Sequence, residues 1–131
     1  MSAAQPRRRV LVADDNALSA TSLSLLLELE GFEVATALDG RQALESARAF
    51  RPDVALLDIG MPFLSGHEVA RSIREQPWGG SMLLIALTGW SREQDRNEAL
   101  AAGFDCHVGK PADLEQILAC FPQSAAPGPT R

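Results

Sequence analysis

The chain has 131 residues, of which 46% are hydrophobic and 22% are charged. This length suits one domain around a single core, and the composition is too apolar for a chain that is disordered throughout. Twelve basic residues against seventeen acidic ones give a net charge of −5. That balance argues against a general nucleic-acid binder, because phosphate binding needs a basic surface. The one basic cluster, at residues 7–9, is interpreted as a solvated lead-in to the first strand.

The other global features predict a cytoplasmic protein. No apolar run reaches the roughly 18 residues of a membrane span, and the first residues lack the apolar segment of a signal peptide. Cys106 and Cys120 are too few for a disulfide framework, and neither has zinc-site spacing. We therefore expect both to be free, mostly buried thiols in a reducing compartment.

Strand and helix patterns alternate along the chain. Short runs that are apolar on both faces are typical of buried parallel strands, and they occur at residues 10–13, 54–57 and 82–87. Two further short strands are predicted at residues 32–37 and 106–109. Helical patterns are predicted at residues 16–30 and 39–50, from residue 65 onward, and at 91–103 and 114–121. The alternation predicts an α/β fold with parallel strands and right-handed crossovers, and the second strand is expected at an edge.

Polar residues stand where four of these strands end. Asp14 and Asp15 follow the first strand, Asp58 the third, Thr88 the fourth, and Lys110 the fifth. In parallel α/β sheets the ligand site lies at the carboxyl ends of the strands. Each residue alone has an ordinary explanation as a cap or a turn residue, but together at one sheet edge they favour a site.

The chemistry of this set suits a phosphoryl group. Three neighbouring carboxylates repel one another and need a cation, and Mg²⁺ bound by carboxylates and a phosphate is the usual solution. The Lys110 ammonium and the Thr88 hydroxyl can contact phosphoryl oxygens. An aspartate can also attack phosphorus and form an acyl phosphate. Phosphoryl transfer needs little beyond positioning and charge neutralisation.

The motifs around these residues resemble the receiver domain of two-component response regulators. They are Asp14-Asp15, the stretch 58–66 (DIGMPFLSG), Leu87-Thr88-Gly89 and Gly109-Lys110-Pro111. The resemblance covers residues 8–121 and implies a (βα)5 flavodoxin-like, doubly wound five-stranded parallel sheet. Residues 1–7 are then a disordered lead-in, and residues 122–131 a disordered tail rich in proline and glycine.

The resemblance also assigns a metal site and a phosphoacceptor. It implies that Asp58 accepts a phosphoryl group from a phosphohistidine on a kinase or a phosphotransfer protein. Asp15 and Asp58 would bind Mg²⁺ directly with the backbone carbonyl of Gly60, and Asp14 would act mainly through water. Lys110 would contact Asp58 and then a phosphoryl oxygen.

Further roles follow from the same resemblance. Thr88 would hydrogen-bond the phosphoryl group, and His107 stands where the family has a rotating aromatic switch. Pro111 would follow a cis peptide bond. Gly60 and Trp90 occupy the two positions that tune hydrolysis of the acyl phosphate in the family. We hypothesise that Trp90 covers the phosphoryl group and slows its loss.

His67 is predicted to be a surface residue. Ala112 replaces an aromatic residue that often follows Lys-Pro in the family.

The expected partners are a sensor histidine kinase or a histidine phosphotransfer protein, and a downstream protein. Output is expected through the helix at 91–103, the fifth strand and the last helix, with no nucleic-acid or membrane contact. The chain is expected to be a monomer or a weak dimer. It is either a stand-alone receiver or a piece of a larger protein, such as a hybrid histidine kinase. It is expected to catalyse only its own phosphorylation and slow autodephosphorylation.

Three alternatives stay open. A phosphorylation-independent scaffold is possible, although the complete polar set argues against it. A Mg²⁺-dependent phosphohydrolase of the haloacid-dehalogenase type needs a second aspartate where Gly60 stands. A flavin- or nucleotide-binding domain needs a phosphate-cradling loop after the first strand, where Asp14 and Asp15 would repel a phosphate.

Overall fold

The computed structural model describes residues 8–89, 93–110 and 112–121. The predicted lead-in at 1–7 and the predicted tail at 122–131 lie outside these ranges, as do Trp90 and Pro111. Within the described ranges, no helix combines the length and the apolar character that crossing a membrane requires.

Five strands and five helices alternate along the chain, as the sequence pattern predicts. The strands are β1 (Arg9–Ala13), β2 (Glu33–Ala37), β3 (Val54–Asp58), β4 (Leu83–Thr88) and β5 (Cys106–Gly109). The helices are α1 (Ala17–Leu29), α2 (Gly40–Phe50), α3 (Gly66–Arg74), α4 (Glu93–Ala102) and α5 (Leu114–Ala119). The last helix is shorter than predicted.

The strands form one parallel sheet in the order β2-β1-β3-β4-β5. The predicted (βα)5 doubly wound fold and the edge position of β2 are therefore confirmed. β3 lies at the centre, and all five of its residues are buried. A strand covered on both faces cannot alternate with polar residues, which explains the continuous apolar runs in the sequence.

Successive side chains along each strand point to opposite faces of the sheet and therefore belong to two separate hydrophobic cores. Leu11 and Leu57 belong to one core with residues of α2, α3 and α4, whereas Val12 and Leu56 belong to the other with residues of α1 and α5. Three helices therefore cover one face of the sheet and two cover the opposite face.

Local signals in the sequence set several helix ends. Asn16 caps α1 by accepting a hydrogen bond from the backbone N–H of Ser19. Ser65 and Glu68 form a capping box at the start of α3. After α1, Gly31 adopts a φ of +100°, a conformation that glycine enters without the steric cost of a side chain.

Arg74, at the end of α3, joins three segments on one side of the sheet. Its guanidinium donates hydrogen bonds to the carbonyl oxygens of Gly79 (2.8 Å), Met82 (2.7 Å) and Gly103 (3.0 Å). It also pairs with the carboxylate of Asp105 at 2.7 Å. The side chain thereby holds the loop before β4 and the turn before β5 against α3.

The prediction of free, mostly buried thiols is wrong. Cys106 and Cys120 form a disulfide, and both residues are half-buried. β5 runs toward the carboxyl edge of the sheet and α5 returns along it, so the end of the helix lies beside the start of the strand. The separation of 14 residues in sequence carried no signal for this pairing.

Candidate functional site

The carboxyl ends of four adjacent strands bring the predicted polar residues to one edge of the sheet. The register pairs Asp58 with Leu87, the residue before Thr88, and pairs Thr88 with Gly109, the residue before Lys110. Asp14 directly follows β1, the neighbour of β3. Asp14, Asp58 and Thr88 are buried, with exposed fractions of 4%, 5% and 1%.

The loop after β3 holds the Asp58 carboxylate in place. The backbone N–H of Gly60 donates to Asp58 Oδ1 at 3.0 Å, and the Ile59 N–H donates to the carbonyl of Leu87 at 3.2 Å. The start of α3 closes over this loop. A Cβ at Gly66 would lie 2.7 Å from the carbonyl oxygen of Asp58, so only glycine fits there.

Lys110 bridges two of the carboxylates. Its Nζ lies 2.9 Å from Asp58 Oδ2 and 3.5 Å from Asp14 Oδ2. Its backbone N–H donates to the Thr88 carbonyl at 2.7 Å, which fixes the loop that carries the ammonium. Lys110 is the only lysine in the chain, and its side chain extends into the acidic cluster.

Burial and charge move the pKa values of this cluster in different directions. Burial raises the pKa of Asp14, although hydrogen bonding from Asn16 and the nearby Lys110 charge act against it. Burial also acts to raise the pKa of Asp58, but the hydrogen bonds from Lys110 and Gly60 outweigh it and the pKa is lowered. Burial acts to lower the pKa of Lys110, and its two carboxylate neighbours more than offset that effect and raise it.

Three carboxylates are suited to a hard cation. One oxygen from each of Asp14, Asp15 and Asp58 lies within 4.8 Å of the other two. One ammonium does not neutralise three carboxylates, and a divalent ion with oxygen ligands would complete the balance. The donor set and its charge therefore fit Mg²⁺.

The Thr88 hydroxyl lacks a hydrogen-bond partner among the described residues. Its Oγ1 is buried, and a buried hydroxyl without a partner is costly unless a ligand or water satisfies it. The atom belongs to the last residue of β4, beside the end of β3. It is available to a ligand placed over Asp58.

The other residues predicted to take part in the site are Gly60, His107, Trp90 and Pro111, and the structure describes the first two. Gly60 is exposed, and a Cβ there would lie 3.7 Å from Asp58 Oδ1, an ordinary contact. His107 is half-buried on β5, paired in register with Ala86 of β4. Trp90 and Pro111 lie outside the described residues, so their predicted roles stay predictions.

The prediction that His67 is a surface residue is wrong. The residue is half-buried, its Nε2 is inaccessible, and its ring makes an edge contact with Phe104 at 6.1 Å between ring centres. The first turn of α3 packs against the turn before β5, a contact that the sequence pattern does not encode.

A groove beside the acidic cluster was not predicted. It has a volume of about 600 Å³ and runs from Asp14, Gly89 and Lys110 along α1, where Leu18 and Leu26 line it. In the sequence, α1 contains more leucines than one buried helix face requires, and this excess could have indicated the groove.

Fold and site together define a class: a five-stranded receiver with an acidic cluster, a lysine and a hydroxyl at one sheet edge. The family model described as the response regulator receiver domain matches residues 10–121. The chain belongs to this family, whose members are phosphoacceptors of two-component signalling.

The chain is similar to full-length regulators and to isolated receivers. It is 42% identical over 111 residues to the transcriptional regulatory protein PrrA of Mycobacterium tuberculosis, covering 85% of this chain and 47% of PrrA. The chain therefore spans about half the length of that relative.

Two solved structures share the fold. The chemotaxis response regulator CheY4 of Vibrio cholerae superposes with a TM-score of 0.82 at 32% identity, covering 87% of this chain and 95% of that chain. The receiver domain of a sensor histidine kinase from Pseudomonas aeruginosa superposes with a TM-score of 0.79, also at 32% identity, covering 87% and 93%. That structure has a magnesium ion coordinated in its active-site cleft.

Proposed function

We propose that Asp58 is the phosphoacceptor of this receiver and takes its phosphoryl group from a phosphohistidine. One observation carries the proposal: the buried Asp58 carboxylate lies 2.9 Å from the Lys110 ammonium, beside the unpartnered hydroxyl of Thr88. A nucleophile, a fixed positive charge and a free donor thus meet at one sheet edge.

The bond changes of the transfer are simple. An Asp58 carboxylate oxygen attacks phosphorus, the bond from phosphorus to the donor imidazole nitrogen breaks, and the imidazole leaves and is protonated by solvent. Lys110, now 2.9 Å from Asp58, moves its contact to a phosphoryl oxygen, and Thr88 donates to another. Such positioning and charge stabilisation supply most of the catalysis in phosphoryl transfer.

Asp15, Asp58 and the backbone carbonyl of Gly60 are proposed to hold Mg²⁺, with Asp14 acting mainly through water. When bound, the ion neutralises charge on the carboxylates and on the transferring phosphoryl group. The lowered pKa of Asp58 supports its role because it keeps the carboxylate ionised and nucleophilic at neutral pH.

Phosphorylation is proposed to bias a two-state equilibrium of the surface formed by α4, β5 and α5. Thr88 is proposed to move and hydrogen-bond the phosphoryl group, and His107 on β5 is proposed to rotate in response. This region is called the output surface below. The chain catalyses its own phosphorylation and a slow autodephosphorylation, which Gly60 and Trp90 tune.

The proposed partners are a sensor histidine kinase or a histidine phosphotransfer protein upstream, and a protein target at the output surface. We place the chain in the cytoplasm, as a monomer or a weak dimer. Residues 8–121 form one receiver domain, which is either a stand-alone protein or part of a larger one. PrrA, a relative about twice as long, is a transcriptional regulatory protein.

The test is incubation with acetyl phosphate, with and without Mg²⁺, followed by measurement of the intact mass. We expect a phosphoryl adduct that needs Mg²⁺ and that Asp58→Asn abolishes. Asp53→Asn is the matched control, because Asp53 is an exposed aspartate at the opposite end of the same strand. Its amide oxygen can still accept the hydrogen bond from Arg9, and this variant should keep the adduct.

The alternatives predict different results. A phosphorylation-independent scaffold would give no adduct with acetyl phosphate or with a phosphohistidine donor. A phosphohydrolase would release phosphate from acetyl phosphate over many rapid turnovers. Either outcome, in a protein shown to be folded by circular dichroism, would overturn the proposal.

A further inference from the structure

The disulfide between Cys106 and Cys120 links the start of β5 to the end of α5. Their Cα atoms are 6.3 Å apart, within the range of natural disulfides. Both residues are half-buried and pack against the edge of the core on the α1 and α5 side. Each residue of the pair therefore keeps part of its surface in contact with solvent.

The helix that this bond holds has little stability of its own. α5 has six residues, and isolated helices of that length do not persist in water. Its other anchors include Ile117, which is fully buried, and Phe121, whose ring lies 5.3 Å from that of Phe32. The disulfide at Cys120, the C-cap residue of α5, adds a covalent link to these packing contacts.

The disulfide closes a loop of the chain that contains part of the functional site. The two cysteines are 14 residues apart, and the segment between them contains His107 on β5 and Lys110, whose Nζ pairs with Asp58. α5 and β5 both belong to the output surface defined above. Oxidation or reduction of the two cysteines therefore affects β5 and α5, the same elements that are proposed to respond to phosphorylation.

We propose that Cys106 and Cys120 are a redox-modification site. In the oxidised state the disulfide fixes the end of α5 on β5, and in the reduced state two thiols free it. Disulfides that occur in cytosolic proteins are usually transient or redox-sensing, so a half-buried pair in a cytoplasmic receiver is expected to be reversible. The expected reversibility uses the cytoplasmic location proposed above, and the consequence for signalling rests on the proposed function, whereas the ordering of α5 by the disulfide depends on neither.

The oxidant can be a small disulfide such as oxidised glutathione. One cysteine thiolate attacks a glutathione sulfur, forming a mixed disulfide and releasing one glutathione thiolate. The second cysteine thiolate displaces the other glutathione, and the Cys106–Cys120 bond forms. The protein loses two electrons, the glutathione disulfide gains them, and the two thiol protons pass to the two released glutathiones.

The first experiment equilibrates the unphosphorylated chain over a range of ratios of reduced to oxidised glutathione. Remaining thiols are blocked with iodoacetamide, and the intact mass is measured. We expect a monomer with zero or two blocked thiols, in proportions that follow the ratio in both directions. A chain that stays fully oxidised or fully reduced over the whole range, or that forms dimers, would overturn the proposal.

The second experiment measures hydrogen exchange of the oxidised and reduced wild-type chain. We expect exchange in α5 to be about tenfold faster after reduction, with little change in α2 on the opposite face of the sheet. Equal acceleration in both helices, or none in α5, would contradict the local effect.

Two sets of variants separate the possible causes. Cys106→Ser and Cys120→Ser cannot form the internal disulfide. Each should show one thiol, free or joined to one glutathione, and the fast α5 exchange of the reduced wild-type chain at every glutathione ratio. Asp58→Asn should keep both the redox response and the change in α5. Loss of the redox response in Asp58→Asn would contradict an independent thiol site. A failure of phosphorylation alone would leave these results unchanged, so the two proposals fail separately.

Discussion

At the scale of single residues, the burial of charge governs the site. Asp14 and Asp58 have nearly equal exposure, yet their pKa values move in opposite directions. At Asp58, burial is outweighed by the hydrogen bonds from Lys110, at 2.9 Å, and from Gly60. At Asp14, burial outweighs the hydrogen bond from Asn16 and the charge of Lys110, which is 3.5 Å away. Asp14 therefore carries an electrostatic cost in the metal-free protein, and Asp58 does not.

Replacing Asp14 by asparagine should stabilise the metal-free protein. The raised pKa of Asp14 means that its charged form is less favourable in the folded than in the unfolded chain, so removing the charge at neutral pH removes that cost. We expect the Tm in EDTA to rise by a few degrees, measured by calorimetry, and Mg²⁺ affinity to fall. Asp15→Asn, at an exposed position, should change the Tm little. A lower Tm for Asp14→Asn would contradict this account.

The ion pair between Lys110 and Asp58 should make stability depend on pH. Because the pKa of Asp58 is lowered on folding, its stabilising contribution is present above its unfolded pKa and is lost as the pH falls through the folded pKa. Lys110→Met should cost about 2 kcal/mol at pH 7, because it leaves two buried carboxylates without their cation. Urea unfolding in EDTA should show this difference shrinking below about pH 4. A difference that is constant with pH would count against the pair.

Trp90 should set the lifetime of the phosphorylated state. We expect Trp90→Ala to lose its phosphoryl group several-fold faster than the wild-type chain, on the hypothesis that this bulky side chain, two residues after Thr88, restricts attacking water. The decay of the phosphorylated mass after removal of acetyl phosphate measures this rate. Trp78→Phe is the control, since Trp78 packs near the opposite end of β3. Equal lifetimes for wild-type and Trp90→Ala would refute the role.

At the scale of elements, the structure depends on a few side chains that join separate segments. Arg74 donates hydrogen bonds to four carbonyl groups and one carboxylate, in the loop that follows α3 and in the turn before β5, about 30 residues further on. Gly66 lets α3 begin directly against the backbone of Asp58. These contacts position the loop beside the acceptor, although none of the residues carries its chemistry.

Removing the Arg74 guanidinium should destabilise the whole domain. Arg74→Met should lower the free energy of unfolding by about 3 kcal/mol, because several carbonyl groups lose their donor and an ion pair is lost. Arg71→Met, at an exposed position of the same helix, is the matched control and should change stability by less than about 0.5 kcal/mol. Chemical denaturation measures both, and equal effects would contradict the role given to Arg74.

At the scale of the whole molecule, the fold was largely predictable from sequence. The apolar runs in β3 and β4 end at Asp58 and Thr88, and parallel strands must bring such ends to one edge. The edge position of β2 was expected because no polar site residue follows that strand, and the (βα)5 sheet was implied by the family resemblance. Asp14, Asp58, Thr88 and Lys110 also lie at this edge, because strand geometry fixes their positions, whereas His107 lies within β5.

The features that were missed depend on distances between elements. The pairing of Cys106 with Cys120 follows from the path of α5, and the contact of His67 with Phe104 follows from how two segments pack. Neither has a local pattern in the chain. The groove along α1 likewise needs the positions of β1 and α1 together.

The most direct test of the central claim locates the phosphoryl group chemically. The chain is phosphorylated with acetyl phosphate and Mg²⁺ and then treated with sodium borohydride, which reduces an aspartyl phosphate to homoserine. Peptide mass spectrometry identifies the modified residue. The account predicts homoserine at position 58 and unmodified aspartate at positions 14, 15 and 53. Homoserine at another position, or a stable phosphoryl adduct with residue 58 unmodified, would contradict it.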